Sequence, residues 1–247
     1  MLEYPADIIE TETGDARTTH VVATDEVGRG ALAFDVCAAA VILPRRTPQL
    51  LEAHAKELED VRDSKSMSEK KRDRIATFIK SFAVAWAVGS ASPKEIDDVN
   101  ILNATHLAMH RAIEGVETKL RERGDERIGH IAVDGDRFKH YASLLSPEWI
   151  PHRCHPGGDA TRLDIAAASI IAKTHRDALV GEACRLDPSL NERYGFAKNK
   201  AYGTAQHMDG LKTFGPTDHH RRSYAPVAAS VAASWVRSPD LSTNRQI

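Results

Sequence analysis

The segment Thr24-Asp25-Glu26-Val27-Gly28-Arg29-Gly30 sets two adjacent carboxylates at the end of the apolar run Val21-Val22-Ala23. The chain then turns through Gly-Arg-Gly toward a second apolar run, Val36 to Leu43. Neighbouring ionised carboxylates repel, so a pair at a strand end is unfavourable unless a cation lies between them. A glycine on each side of Arg29 lets the backbone take positive φ and come close to a ligand. An acid pair, a close-approach backbone and one fixed cation together suggest a divalent metal beside a phosphodiester. The same seven residues also suit an ordinary strand-to-turn transition, and only the rest of the chain separates the two readings.

With 247 residues, 42% hydrophobic and 28% charged, the chain can build one sizeable core or two small ones. Its apolar stretches stop short of the ~20 residues that cross a bilayer. The acidic, proline-bearing start, Met1 to Asp15, does not resemble a signal peptide, so no membrane partner is expected. Cys37, Cys154 and Cys184 are odd in number and widely spaced, which argues against a disulfide framework and for a reducing cytoplasm. A net charge of −2 does not advertise a nucleic-acid binder, but an average conceals local patches. His219-His220-Arg221-Arg222 with Lys198, Lys200 and Lys212 makes the C-terminal third basic. Such a cluster is commonly a solvated face; beside an acidic site it is also what phosphate tracking requires. His152, Cys154 and His155 lack the spacing of a structural zinc site, and no Walker-type loop points to an ATPase.

Runs 20–25, 36–43, 82–88 and 131–134 have the β-branched and alanine-rich character of buried strands. Ser68 is a good N-cap for a helix through Ile79 with a lysine- and arginine-rich face. Asn100 to Gly115 carries apolar residues at roughly helical spacing and predicts a helix that ends in the glycine. Leu163 to Leu186 predicts a long helix whose Ala166, Ala167, Ala168 and Ser169 permit close packing on a sheet. Thr204 to Phe214 predicts a further helix, stopped by Gly215-Pro216. Strands first, helices interleaved and more helix at the end indicate an α/β fold with a C-terminal helical elaboration. The expected organisation is a polar tail over 1–18, one catalytic domain over 19–232 whose helical part begins near 190, and a polar tail over 233–247.

Two more acids stand where a metal site can use them. Asp134 ends His130-Ile131-Ala132-Val133 and precedes Gly135, repeating the strand, acid, glycine order of Asp25. Asp159 lies in Pro156-Gly157-Gly158-Asp159-Ala160, before the long small-residue helix. An Asp there also serves as an ordinary first-turn acid. With the other three it forms a plausible oxygen-ligand set for magnesium, which uses a few carboxylates plus substrate oxygens.

These segments occur together with Asp63-Ser64-Lys65, Ser68 to Arg72, Asn100 to Thr105, Ala166 to Lys173, Arg176-Asp177, Tyr194 to Lys198, Tyr202-Gly203-Thr204 and His220 to Ser223. In this order and spacing, from about Val21 to Val227, the chain resembles bacterial ribonuclease HII, of the type 2 ribonuclease H family. The resemblance implies a ribonuclease H-like fold, a mixed central sheet flanked by helices, with the C-terminal helices helping to form a substrate cleft. It places the family's four catalytic, metal-holding acids on Asp25, Glu26, Asp134 and Asp159, with Mg2+ or Mn2+ as the divalent cofactor. It gives Gly28, Arg29 and Gly30 the task of meeting the 2′-hydroxyl, the group that separates RNA from DNA. Tyr202 matches the residue that stacks on the following sugar, and Lys65 a basic residue near substrate phosphates; Lys65 is equally read as a solvated helix-start lysine.

The implied activity is endonucleolytic hydrolysis of RNA in RNA–DNA hybrids and incision 5′ of ribonucleotides embedded in duplex DNA. Two metal ions assist, and the ends are 3′-hydroxyl and 5′-phosphate. Two other readings stand beside it: a nucleic-acid-binding protein of the same fold with weakened catalysis, and another two-metal nuclease such as a junction resolvase. The intact acids argue against the first, Gly-Arg-Gly with Tyr202 against the second. The chain departs from the family's usual Pro-Leu-Ala-Gly-Pro at Ala31 to Asp35, and from its His-Lys-Gly at Asn199-Lys200-Ala201. Asp35 is expected to add negative charge near the cleft, and Ala201 to restrict the backbone that presents Tyr202. The tail Leu241 to Ile247 lacks the aromatic pair of sliding-clamp-binding tails, so no clamp tether is expected, and the protein is expected to act as a monomer.

Overall fold

The computed structural model describes residues 18–61, 67–124, 126–144 and 149–236. Five strands form one mixed sheet: β1 Thr18–Val27, β2 Val36–Ile42, β3 Ala85–Ala91, β4 Glu126–Asp134 and β5 His152–His155. Their spatial order is β3-β2-β1-β4-β5. The β1–β2 and β2–β3 pairs are antiparallel, whereas β4 runs parallel to β1 and β5 parallel to β4. β2 is buried along its whole length. Its Ala38-Ala39-Ala40 centre keeps the sheet thin enough for helices to close on both faces.

The helices are α1 Pro48–Ala53, α2 Ala55–Asp60, α3 Glu69–Phe82, α4 Pro93–Val99, α5 Ile101–Glu122, α6 Leu163–Leu186, α7 Pro188–Tyr194, α8 Phe196–Asn199, α9 Ala205–Phe214 and α10 Ala225–Val236. On one face α5 packs Ala108, Met109, Ala112, Ile113 and Val116 against Val22, Ala38, Ala40 and Ile131. On the other, α6 and α3 bring Ala167, Ile170, Ile171, Ile75 and Ile79 onto Ala39 and Val41. The helices α7 to α10 form the C-terminal elaboration, and its cores reach back to Ala33 and Phe34 through Tyr194, Phe196 and Ala201, and to Leu32 through Leu211 and Val227. The loop between β1 and β2 is thereby held between the sheet body and the C-terminal helices.

The expected mixed sheet and the span of α6 are observed, and Ser68 caps α3 by accepting from the Lys71 N–H at 3.3 Å. Two local expectations need correcting. The apolar run at 82–88 begins in helix: Phe78 and Phe82 stack at 5.0 Å on α3, and the strand starts only at Ala85. A short apolar run does not distinguish the two states by periodicity. The helix from Asn100 does not end at Gly115 but continues to Glu122. Gly115 lies against the sheet, where an added Cβ would sit 2.7 Å from the Ala87 Cβ, so the glycine serves close packing. Beyond the strands expected, His152 to His155 form the edge strand β5, which alternates its residues between faces. Neighbours His155 and Cys154 therefore point apart.

Candidate active site

Parallel pairing assembles the acids. The β1–β4 register matches Thr24 with Val133, so the next step sets Asp25 beside Asp134 at the carboxyl ends of both strands. Asp134 in turn pairs with His155 of β5. The loop leaving β5 then makes a 3₁₀ turn at Gly158–Ala160, and the Asp159 N–H donates to Asp134 Oδ1 at 3.3 Å. Ligands of open α/β sheets commonly bind outside the carboxyl ends of strands. Here a cavity of about 510 Å³ opens at that edge, lined by all four acids, Gly28, Arg29, Gly30 and Tyr202. Eight of the nine expected site residues thus share one cavity; Lys65 lies outside the described residues.

Asp25 is 5% exposed. Burial, then the charges of Glu26 and Asp134, hold its carboxyl well above the usual range, opposed by Ser169 and the Glu26 N–H. Glu26 is raised too, chiefly by burial, while Arg29 pulls it back through a 3.1 Å bond from Nη1 to Oε1. Successive residues of a strand face opposite ways. Accordingly Asp25 meets Ser169 of α6, while Glu26 also lines a neighbouring cavity of about 210 Å³ with Thr105 and His106 of α5. Among the described residues no three acid, histidine or cysteine side chains are already gathered as a cation cage. Buried, repelling oxygens open to a cavity nonetheless suit a hard cation, whose remaining ligands are water and substrate oxygens.

The turn is built for close approach. Gly28 has φ +91, and a Cβ there would lie 2.2 Å from Arg176 Nε. Arg176, fully buried, donates to the carbonyls of Ala33, Asp35 and Lys200. Its guanidinium stands 5.7 Å from the centre of the Tyr202 ring. Tyr202 bridges to Ala31 across the loop. Its carbonyl is held by the Thr204 N–H and by His207 Nδ1, whose Nε2 lies 3.0 Å from His220 Nε2. The His220 Nδ1 accepts from the Thr217 N–H, so its Nε2 carries the proton toward His207. Both imidazoles are buried and neutral, and burial, reinforced by His207, pushes His220 down to about 3.

Three polar residues of the cavity lie outside the set expected from the sequence: Arg72, Ser169 and Lys173. Asp177 pairs with Lys173 Nζ at 2.7 Å and Arg72 at 3.5 Å, so two cations that line the cavity share one buried acid. The i, i+4 spacing of Ser169, Lys173 and Asp177 on the small-residue helix was the available signal. Asp35 is not among the residues that line the cavity, and its backbone carbonyl accepts from Arg176 Nε at 3.0 Å. Ala201 is at φ +67 and Phe34 at φ +63, so both departures from family glycines keep the left-handed backbone.

An acidic floor, a cationic rim and a ribonuclease H-like sheet define a phosphodiester hydrolase of the nuclease class. A family model described as Ribonuclease HII matches residues 22–227, and the chain belongs to that family; it is a ribonuclease H. Ribonuclease HII of Paramagnetospirillum magneticum is 44% identical over 211 residues, covering 84% of this chain and 91% of that protein. Among solved structures, ribonuclease H2 from Pyrococcus horikoshii has a TM-score of 0.63 at 20% identity, covering 89% of this chain and 100% of that one. Bst-RNase HIII, solved in complex with Mn2+, has a TM-score of 0.59 at 18% identity, covering 90% and 72%. Among the described residues no helix is long and apolar enough to cross a membrane.

Proposed function

We propose that the protein hydrolyses RNA in RNA–DNA hybrids and incises 5′ of single ribonucleotides in duplex DNA, leaving 3′-hydroxyl and 5′-phosphate ends. The observation that carries this reading is the meeting, in one cavity, of four acids with the Gly28-Arg29-Gly30 turn and Tyr202. Asp25, Glu26, Asp134 and Asp159 hold divalent cations, Mg2+ or Mn2+; a manganese complex of Bst-RNase HIII supports that choice. When bound, such ions lower the pKa of water and offset charge on the attacking and leaving oxygens.

The chain's own residues do the rest. Arg29, Arg72 and Lys173 line the cavity as cations, drawing in the phosphate backbone and fixing its register. The turn meets the ribose 2′-hydroxyl with backbone groups, since glycines on both sides leave no side chain to exclude it. Tyr202 supplies a flat surface for the following sugar, where a deoxyribose packs without the extra hydroxyl. The 2′-hydroxyl is read but does not attack, so no cyclic phosphate forms. The protein acts as a monomer.

The test is to incubate purified protein with duplex DNA containing one ribonucleotide, with Mg2+, with Mn2+ and with EDTA, and to identify the ends. Metal-dependent incision 5′ of the ribonucleotide with a 5′-phosphate is expected. A 2′,3′-cyclic phosphate, or cutting of all-DNA duplex at the same rate, would overturn the reading.

A further inference from the structure

The Arg29 carbonyl, at the centre of the turn, accepts two hydrogen bonds from one short segment. Arg221 Nη1 donates to it at 3.0 Å and the Tyr224 hydroxyl at 2.5 Å. The same Nη1 donates to the Tyr224 hydroxyl at 3.1 Å, so the phenol accepts from the arginine and has its own proton for the carbonyl. The Tyr224 N–H closes back on the Arg221 carbonyl at 3.1 Å, a single turn that brings both side chains to one side just before α10. Arg221 is fully buried, and its Nε reaches the Phe34 carbonyl at 2.9 Å. One guanidinium thus grips both ends of the loop between β1 and β2.

A peptide group is planar and trans, so its C=O and the following N–H point in opposite directions. Holding the Arg29 carbonyl toward the protein interior therefore turns the Gly30 N–H the other way. Gly30 lines the large cavity, and its N–H takes no protein partner among the described residues. The flanking glycines are what make this a question: a Gly-x-Gly turn flips its central peptides readily, and either a donor or an acceptor can then face the substrate.

We infer that Arg221 and Tyr224 are positioning residues that orient the Arg29–Gly30 peptide so that its N–H, and not its carbonyl, is offered to the substrate sugar. The inference rests on the proposed reading of the 2′-hydroxyl by this turn. Neither side chain touches the substrate; each acts through one peptide plane.

The experiment measures binding, in Ca2+ to suppress turnover, of two duplexes of one sequence, all-DNA and with a single embedded ribonucleotide. The ratio of their dissociation constants is compared for unaltered protein, Tyr224→Phe and Arg221→Lys, with thermal unfolding of each. Tyr224→Phe removes one hydroxyl at a half-buried position and tests the idea should Arg221→Lys fold poorly. Losing one donor to the carbonyl should lower the ratio about threefold to tenfold, with the affinity for all-DNA duplex unchanged. If the residues only dock α10 to the body, unfolding temperatures fall and the ratio stays constant; that result overturns the inference alone. Equal affinity of the unaltered protein for both duplexes would instead overturn the reading of the turn as a sugar reader, and this inference with it.

Discussion

Asp25→Asn separates two consequences of the acidic cluster, because the charge proposed to hold metal is one the metal-free fold resists. Burial and the charges of Glu26 and Asp134 raise this carboxyl. A carboxyl whose folded pKa exceeds its unfolded value of about 3.9 supports the fold when protonated, and that support is lost as pH rises through the folded value. As pH rises above the unfolded value, the metal-free fold therefore progressively loses support that a neutral side chain at this position would keep. Asparagine keeps the size and the Oδ1 that accepts the Glu26 N–H at 2.7 Å. In EDTA the variant should unfold at or above the temperature of the unaltered protein.

Metal reverses the order. A cation present at about a hundred times its Kd stabilises the native state by about 2.7 kcal/mol. A domain of about 150–250 residues gains about 2–4 °C per kcal/mol, so saturating Mn2+ should raise Tm of the unaltered protein by roughly 5–11 °C. The variant should keep less than half of that rise and should not cleave. Circular-dichroism melts in EDTA and in Mn2+, with a cleavage assay on duplex holding one ribonucleotide, read all three quantities. A metal-free variant several degrees less stable than the unaltered protein, or one retaining the full metal increment, refutes the reasoning.

Tyr202→Ala should remove a stacking surface worth ~1–3 kcal/mol, about ten- to hundredfold in rate or affinity. The loss should be larger on a single embedded ribonucleotide than on an all-RNA strand; equal losses in kcat/KM would reduce Tyr202 to general binding. Ala201→Gly relieves left-handed strain of about 1–2 kcal/mol, offset by a lost buried methyl of about 0.8 kcal/mol and unfolded-chain entropy of about 0.4–1 kcal/mol. Urea unfolding should therefore move by less than about 1 kcal/mol, and substrate selectivity should shift; a loss above about 1.2 kcal/mol, the opposing terms alone, would show that Ala201 carries no strain. His106, His110, His130, His152, His175, His207 and His220 are all pushed down, chiefly by burial. Neutral histidines favoured by the fold give stability that is full above the unfolded value of about 6.5 and is lost as pH falls toward the folded values. The urea midpoint should drop between about pH 7 and pH 5 and His220→Gln should flatten the slope; a flat profile in the unaltered protein would contradict the buried neutral pair.

The order of acids and glycines along the chain was enough to nominate Asp25, Glu26, Asp134 and Asp159, because each interrupts a pattern that a plain strand or helix would continue. A carboxylate pair running into Gly28-Arg29-Gly30 is legible locally, as is the alanine-rich face of α6, since both depend on neighbours within one turn. Element ends were legible only where capping chemistry marked them. Ser68 and Thr204 accept from the N–H three residues on, whereas Gly115 is a packing residue inside a helix and gave a false stop. What the chain could not disclose is which residues meet at long range. Asp134 faces Asp25 only because β4 pairs parallel to β1 in one register, and Asp159 joins them through the β5 edge. Arg176 and Arg221 look like surface cations in the sequence, yet both are fully buried. The reason is physical: a guanidinium loses its water only where carbonyls replace it, and those carbonyls, on Arg29, Ala33, Phe34, Asp35 and Lys200, come together only when the C-terminal helices close on the loop between the first two strands.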